Sequence, residues 1–514
     1  MHPATVYIVG AGPGDPSLIT ARGLRFLTEA DVVVYDHLVH PRLLRHARPE
    51  AERIDVGAAA PQPLAQEAIN LLLVEKAREG KRVVRLKWGD PYVFDSGGKE
   101  ALFLNEQRIP FEVVPGVPAV VANPCYAGVP VTYPGAGDTL TFVRGHEDGT
   151  NRPIKVDWDA LARLDGSIVC YAGPRQLPDV VDALLAHGRS PKEWAAVVWR
   201  GTLPQQSTLH GTLGELQQAL KRDDSSREGG ILVVGSVVGL REHLRWFDAR
   251  PLFGKRVLVT RSREQAGELI DLLEDLGAEA IEAPSIRIVP PTDLAAVDEA
   301  CAAAASCDWI VFTSANGVEH FMRRLLAGPL DVRALRGPRL CAIGPATAER
   351  LARYGIKVDL MPIEFRAEAV VEALKATGDL RGRRILLPRA DIARELLADE
   401  LRKAGAEVTE VAAYRTLKAS LVESSGRDIY KMLLDGEIHV VMFTSASTVR
   451  NFAQAMGQEQ AADLLRTTVV ACIGPVTAEA AERLDIKTTV MPAEYTIPAL
   501  VEAIVHHFRE PARS

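Results

Sequence analysis

The stretch Val6-Tyr7-Ile8-Val9-Gly10-Ala11-Gly12-Pro13-Gly14-Asp15-Pro16 runs four apolar residues straight into a Gly/Pro turn. Helical spacing follows through Leu18, Leu24 and Leu27. A short apolar run closed by turn residues reads as a buried strand, and the spacing after it as a helix. Val32–Tyr35 and Val83–Leu86 repeat the pattern. Short apolar strands alternating with amphipathic helices predict α/β layers with mostly parallel sheets. Such sheets put their working loops at the carboxyl ends of the strands. The turn itself speaks against a dinucleotide fold. G-x-G-x-x-G needs a glycine where Asp15 stands, and Pro13 stiffens the loop.

Working outward, Ile231–Val234 reads as the last strand of the first half, after a surface loop at Asp223–Gly230. The aperiodic segment Trp246–Gly254 marks a boundary, and a fresh strand starts at Arg256. Beyond it the sequence repeats. Phe312-Thr313-Ser314-Ala315 recurs as Phe443-Thr444-Ser445-Ala446. Ile343-Gly344-Pro345-Ala346-Thr347-Ala348 recurs as Ile473-Gly474-Pro475-Val476-Thr477-Ala478, and Arg256-Val257-Leu258 as Arg384-Ile385-Leu386. Three near-equal offsets predict two similarly folded lobes of about 120–130 residues with a cleft between them. Each copy places Ser or Thr directly after an apolar strand. One reading makes these residues helix N-caps. The other makes the turns receptors for carboxylates, through free N–H groups at the helix starts.

The 514 residues carry 60 Lys+Arg against 67 Asp+Glu, a net charge of −7, with 47% apolar content. This excludes a disordered chain and a general nucleic-acid or anionic-membrane binder. An anionic substrate would need a local positive site. Six cysteines without a C-x-x-C pair predict reduced thiols and no metal centre. No basic-then-apolar leader and no uncharged run of about 18 residues is seen, so a cytoplasmic protein is expected.

Residues 255–507 resemble uroporphyrinogen-III synthase. The likeness rests on Val257-Leu258-Val259-Thr260-Arg261, Phe312–Val318, Leu387-Pro388-Arg389-Ala390, Tyr414-Arg415-Thr416, Phe443–Phe452, Ala471–Pro475 and Glu494–Pro498. It implies two flavodoxin-like α/β lobes within 255–510. Lobe one is 255–287 plus 418–510, and lobe two is 288–416. It further implies ring closure of hydroxymethylbilane with inversion of the last pyrrole, without metal or cofactor. Tyr414 would assist hydroxyl departure, with Arg261, Ser314, Thr347, Ser445 and Thr477 near the substrate. The alternative for Tyr414 is a half-buried linker residue. Such a substrate loses its hydroxyl readily, so the enzyme mainly has to hold a conformation.

Residues 1–247 resemble uroporphyrinogen-III C-methyltransferase, a two-lobed tetrapyrrole methylase. Val6–Pro16, Ala30–Val39, Val83–Lys87, Gly89–Phe94, Pro110–Gly116, Tyr126–Pro130 and Arg200-Gly201-Thr202 carry the likeness. It implies S-adenosylmethionine as methyl donor, uroporphyrinogen III as acceptor, precorrin-2 as product and a homodimer through this half. Pro13, Trp88, Gly89, Asp90, Val93, Pro118, Ala119, Ala172 and Gly201 would line the donor pocket, with Asp36 as base. By spacing alone, Asp36 reads instead as an N-cap, and His146 as structural. Several positions depart from the family pattern. Ala58 stands for a proton-donating Lys and Trp88 for Gly. Pro118 replaces Thr, Ala172 replaces Met, Asp95-Ser96 replaces Gly-Arg, and a basic residue is missing at Tyr133-Pro134. Two readings follow: a bifunctional tetrapyrrole enzyme, or a synthase whose first half is non-catalytic or acts on another tetrapyrrole.

Overall fold

The computed structural model describes residues 5–57, 64–145, 155–173, 176–222, 229–261, 263–283, 286–364, 367–391, 396–418 and 427–509. Ala58 and His146 lie outside them. The chain divides into two compact units, 1–256 with 272–279 and 508–514, and 257–271 with 280–507. No described helix is long and apolar enough to cross a membrane.

In the first unit, β1 (Val6–Gly10), β2 (Val32–Tyr35), β3 (Glu52–Asp55), β4 (Val83–Lys87) and β5 (Phe111–Val114) form a parallel sheet in the order β3-β2-β4-β1-β5. Apolar quartets make strands here because a parallel sheet is covered on both faces. Helices α1 (Ala21–Glu29), α2 (Gln66–Arg78), α3 (Gly97–Glu106) and α4 (Ala119–Tyr126) follow their strands. The turns after β1, β2, β4 and β5 therefore share one edge.

The second sheet is β6 (Leu140–Gly145), β7 (Ser167–Ala172), β8 (Trp194–Trp199), β9 (Ser207–Thr212) and β10 (Gly230–Val234), in the order β6-β7-β10-β8-β9. Only its β6–β7 pair is parallel; its other pairs are antiparallel. The expectation of mostly parallel sheets fails here. The link from β8 to β9 is too short for a crossover helix, and strands so joined must run antiparallel.

The second unit contains, apart from the first residues of β11 and β12, the strands β11 (Arg256–Val259), β12 (Glu279–Glu282), β13 (Ile286–Val289), β14 (Trp309–Phe312), β15 (Arg339–Ala342), β16 (Arg384–Ala390), β17 (Glu407–Lys418), β18 (Val440–Phe443) and β19 (Val469–Cys472). One sheet runs β12-β11-β18-β19 and the other β13-β17-β16-β14-β15. The sequence repeat reappears as matching registers. Val257 faces Val440 and Ile385 faces Trp309; Trp309 faces Arg339 and Val440 faces Val469. The first strand of each copy is exchanged: β11 lies against β18, and β16 against β14. Fully buried edge-to-face pairs repeat as well. Phe312–Phe321 has its ring centroids 5.8 Å apart and Phe443–Phe452 5.5 Å. Each pair fastens a strand to the helix that follows it.

Candidate functional site

Asp36 leaves the end of β2 beside β4, with Tyr35 in register with Leu86. Two cations alternate along β4, Arg85 and Lys87, both 1% exposed. Being two residues apart they share a face, and a buried charge needs a partner. Arg85 donates to Asp36 Oδ1 and, from Nε, to Glu100 Oε1 at 3.2 Å. Lys87 Nζ reaches Asp95 Oδ1 at 3.1 Å, Glu100 Oε1 at 3.3 Å and Ser96 Oγ at 3.0 Å. It lies 3.8 Å from Asp36 Oδ2. The second Asp36 oxygen accepts the Trp88 backbone N–H at 3.0 Å. The carboxylate is thus engaged by an ion pair and a turn rather than by a helix start. Burial alone would raise Asp36, but Arg85, Lys87 and the Trp88 N–H outweigh it and hold the group below the usual carboxylate range. Glu100 is likewise lowered, its burial overcome by Arg85 and Lys87. Burial, with Asp36 adding to it, lifts Asp95 against the pull of Lys87.

The pH dependence follows with its sign. Asp36 and Glu100 bind fewer protons folded than unfolded, so their stabilisation is complete above about pH 4–5 and is lost as the pH falls through their depressed folded values. Asp95 acts oppositely and loses its contribution as the pH rises through its elevated value. With two lowered groups against one, the urea midpoint of the first unit should fall on acidification from about pH 5 to pH 3. A midpoint rising over that range would contradict the cluster.

Beside the cluster the turns after β1, β4 and β5 press together. A Cβ on Gly116 would stand 2.2 Å from the Gly89 carbonyl oxygen, and one on Gly10 2.5 Å from Gly116 Cα. Only hydrogen fits in either place. Asp90 pins this frame: Oδ2 accepts the Gly116 N–H at 3.0 Å, and Oδ1 those of Tyr92 and Val93 at 2.8 and 3.1 Å. The Asp15 N–H donates to Thr202 Oγ1 at 3.0 Å, bringing the Gly201-Thr202 loop to the Pro13 turn. Pro118 is the N-cap of α4 and makes no side-chain cap bond. Burial pushes the pKa of Tyr171 up to about 12, against the pull of the Ala119 and Val120 backbone N–H groups at the start of α4. This joins the end of β7, and with it Ala172, to Ala119. The Gly and Ala walls suit a close-lying sulfonium nucleoside, except for the Trp88 side chain, whose indole N–H donates to the Pro13 carbonyl at 2.9 Å.

In the second unit the helices α5 (Ala315–Ala327), α6 (Pro345–Ala352), α7 (Ala446–Met456) and α8 (Pro475–Glu482) start at the four expected turns. Strands β14 and β15 are parallel neighbours, as are β18 and β19, so the turns lie side by side in each lobe. Ser314 Oγ accepts the Gly317 N–H at 2.9 Å, and Ser445 forms a capping box with Thr448. Ser314 is more than a cap: its Oγ lies 3.1 Å from Tyr414 Oη. Tyr414 is 7% exposed and stacks on His320, with centroids 5.6 Å apart. Burial raises its pKa, eased by Ser314 and reinforced by Asp391. Thr347 and Thr477 are 3% and 4% exposed, because the third position of each helix faces inward. Their hydroxyls are therefore not surface groups, and what these turns offer outward is backbone. Arg261 follows β11, and burial lowers its pKa against the pull of Glu268.

Sequence reading missed Arg85, Lys87, Glu100, Tyr171 and Thr202. The signal for the first two was present, since two cations at period two in an apolar strand demand buried counter-charge. Nothing local marked Glu100 as their partner.

Residues 5–217 match the family model of tetrapyrrole (corrin/porphyrin) methylases, and residues 267–502 that of uroporphyrinogen-III synthase HemD. The chain is 36% identical over 508 residues to the porphyrin biosynthesis protein HemD of Ruminiclostridium josui, covering 98% of each. It is 34% identical over 382 residues to the uroporphyrinogen-III C-methyltransferase of Bacillus subtilis (strain 168), covering 74% of this chain and 78% of that one. A crystal structure of uroporphyrin-III C-methyltransferase from Thermus thermophilus, complexed with S-adenyl homocysteine, is 37% identical. It covers 46% of this chain and 99% of that one, with a TM-score of 0.40.

Proposed function

Because the chain belongs to the family of fused tetrapyrrole methylases and uroporphyrinogen-III synthases, bifunctional enzymes of tetrapyrrole biosynthesis, we propose the following division of labour. The second unit closes hydroxymethylbilane to uroporphyrinogen III, and the first methylates that product to precorrin-2. For the closure, the observation that carries the reading is the pair of helix-start turns repeated in matching register in each lobe. First-turn N–H groups lack intrahelical partners and favour carboxylates. Tyr414, kept as the neutral phenol by burial, serves as the acid that helps the hydroxyl leave, with Ser314 aiming it. No cofactor is required for this step.

In the first unit, S-adenosylmethionine supplies an electrophilic methyl group when bound. Pro13, Gly89, Asp90, Val93, Ala119, Ala172 and Gly201 would hold it. Asp36 stays ionised beside Arg85 and Lys87 and accepts the proton released by the methylated ring. Its lowered pKa makes it a weak base, which suffices for an acidic, cationic ring. By the same resemblance the protein pairs with a second copy through its first unit. A second reading, a synthase with a non-catalytic first unit, is favoured by the Trp88 indole.

The test gives purified protein hydroxymethylbilane and methyl-labelled S-adenosylmethionine. The inverted isomer should form first, and label should then enter it. Only the uninverted isomer would refute the synthase reading. Inverted isomer without label would refute the methylase reading.

A further inference from the structure

We propose that Trp88 is a plug in the methyl-donor pocket of the first unit, and that the donor binds only when the indole leaves the Pro13 carbonyl. The inference rests on the donor-site reading above and deepens it. Trp88 is held at two ends. Its backbone N–H bonds to Asp36, and its indole N–H to Pro13 at 2.9 Å. The same side chain packs against the apolar cluster that contains Ala119 and Val120, both fully buried. Pro13 and Ala119 come from different walls of the frame, one from the turn after β1 and the other from the start of α4. The ring is bonded to the first and packed on the cluster to which the second belongs.

Two polar features of the frame already face protein groups. The Pro13 carbonyl accepts the indole, and the first N–H groups of α4 lie by the Tyr171 phenol. Phe94 stands edge-on to Tyr171, with ring centroids 5.7 Å apart. A ligand entering here must displace a partly buried ring and its hydrogen bond to Pro13. Losing both the ring's packing and its bond is a cost that the ligand's own contacts have to exceed.

The experiment is calorimetric titration of the full chain with S-adenosylhomocysteine, for wild type, Trp88→Gly, Trp88→Ala and Trp88→Phe. Trp88→Gly and Trp88→Ala should bind at least tenfold more tightly than wild type. Trp88→Phe keeps a ring but lacks the N–H, and should fall between. Near-ultraviolet circular dichroism identifies any variant that fails to fold, and the alanine variant stands in if the glycine one does. Equal affinity in wild type and the small-residue variants would overturn the plug while leaving the donor site standing. Binding by none of the four would overturn the donor-site reading and the plug with it.

Discussion

Glu100→Ala should destabilise the first unit by about 3–5 kcal/mol, the range for breaking a buried ion pair from one side. Glu100 is 0% exposed, and its Oε1 receives Arg85 Nε, Lys87 Nζ, Ser96 Oγ and Gln66 Nε2. Removing it leaves two cations, each 1% exposed, to share Asp36 and Asp95. Glu100→Gln keeps an acceptor but no charge, and should cost less. The measurement is urea denaturation followed by far-ultraviolet circular dichroism, with the first unit's transition resolved from the second's. A loss under about 1 kcal/mol, the level of an exposed pair, would show that the cluster is solvated. The same variant should lose methyl transfer before it unfolds, because Asp36 would be drawn toward whichever cation Glu100 released.

Tyr414→Phe should slow ring closure by roughly tenfold or more, at or below the low end of general acid effects. The substitution keeps the ring that packs with Ile288 and Ala413 and stacks on His320. It removes only the hydroxyl that meets Ser314. The loss should appear in kcat with KM little changed, since the role proposed for the phenol is on the departing hydroxyl and not on the carboxylates. Ser314→Ala separates aim from acidity. It should cost about 1 kcal/mol of stability as a lost cap and a smaller part of the rate. An unchanged rate in Tyr414→Phe would remove the phenol from the mechanism and leave a packed interior tyrosine.

Much of this molecule is legible along the chain. Apolar quartets closed by Gly/Pro turns located the strands, because a strand buried on both faces has little choice of residue. The recurrence of Phe-Thr-Ser-Ala and Ile-Gly-Pro announced paired lobes, and Ser314 and Ser445 cap helices as their position after a strand suggests. The antiparallel second sheet was less visible, since apolar runs in Ala195–Val198 and Ile231–Val234 carry no sign of direction. Asp36 illustrates the limit more sharply. Its position after β2 suggested a cap, but its partners come from β4, about fifty residues away.

By itself, then, the sequence determined the α/β layering, the doubled lobes, the positions of the four turns and the absence of paired-cysteine motifs, all of which follow from local period and turn chemistry. The tertiary structure alone decided which strands meet. β11 and β16 present the same pattern and take the same register, so nothing local could say that each would lie in the sheet built by the other copy. It alone also set Glu100 between two cations and laid the Trp88 indole against Pro13, because a side chain's partner is chosen by folding across long separations, where periodicity carries no information.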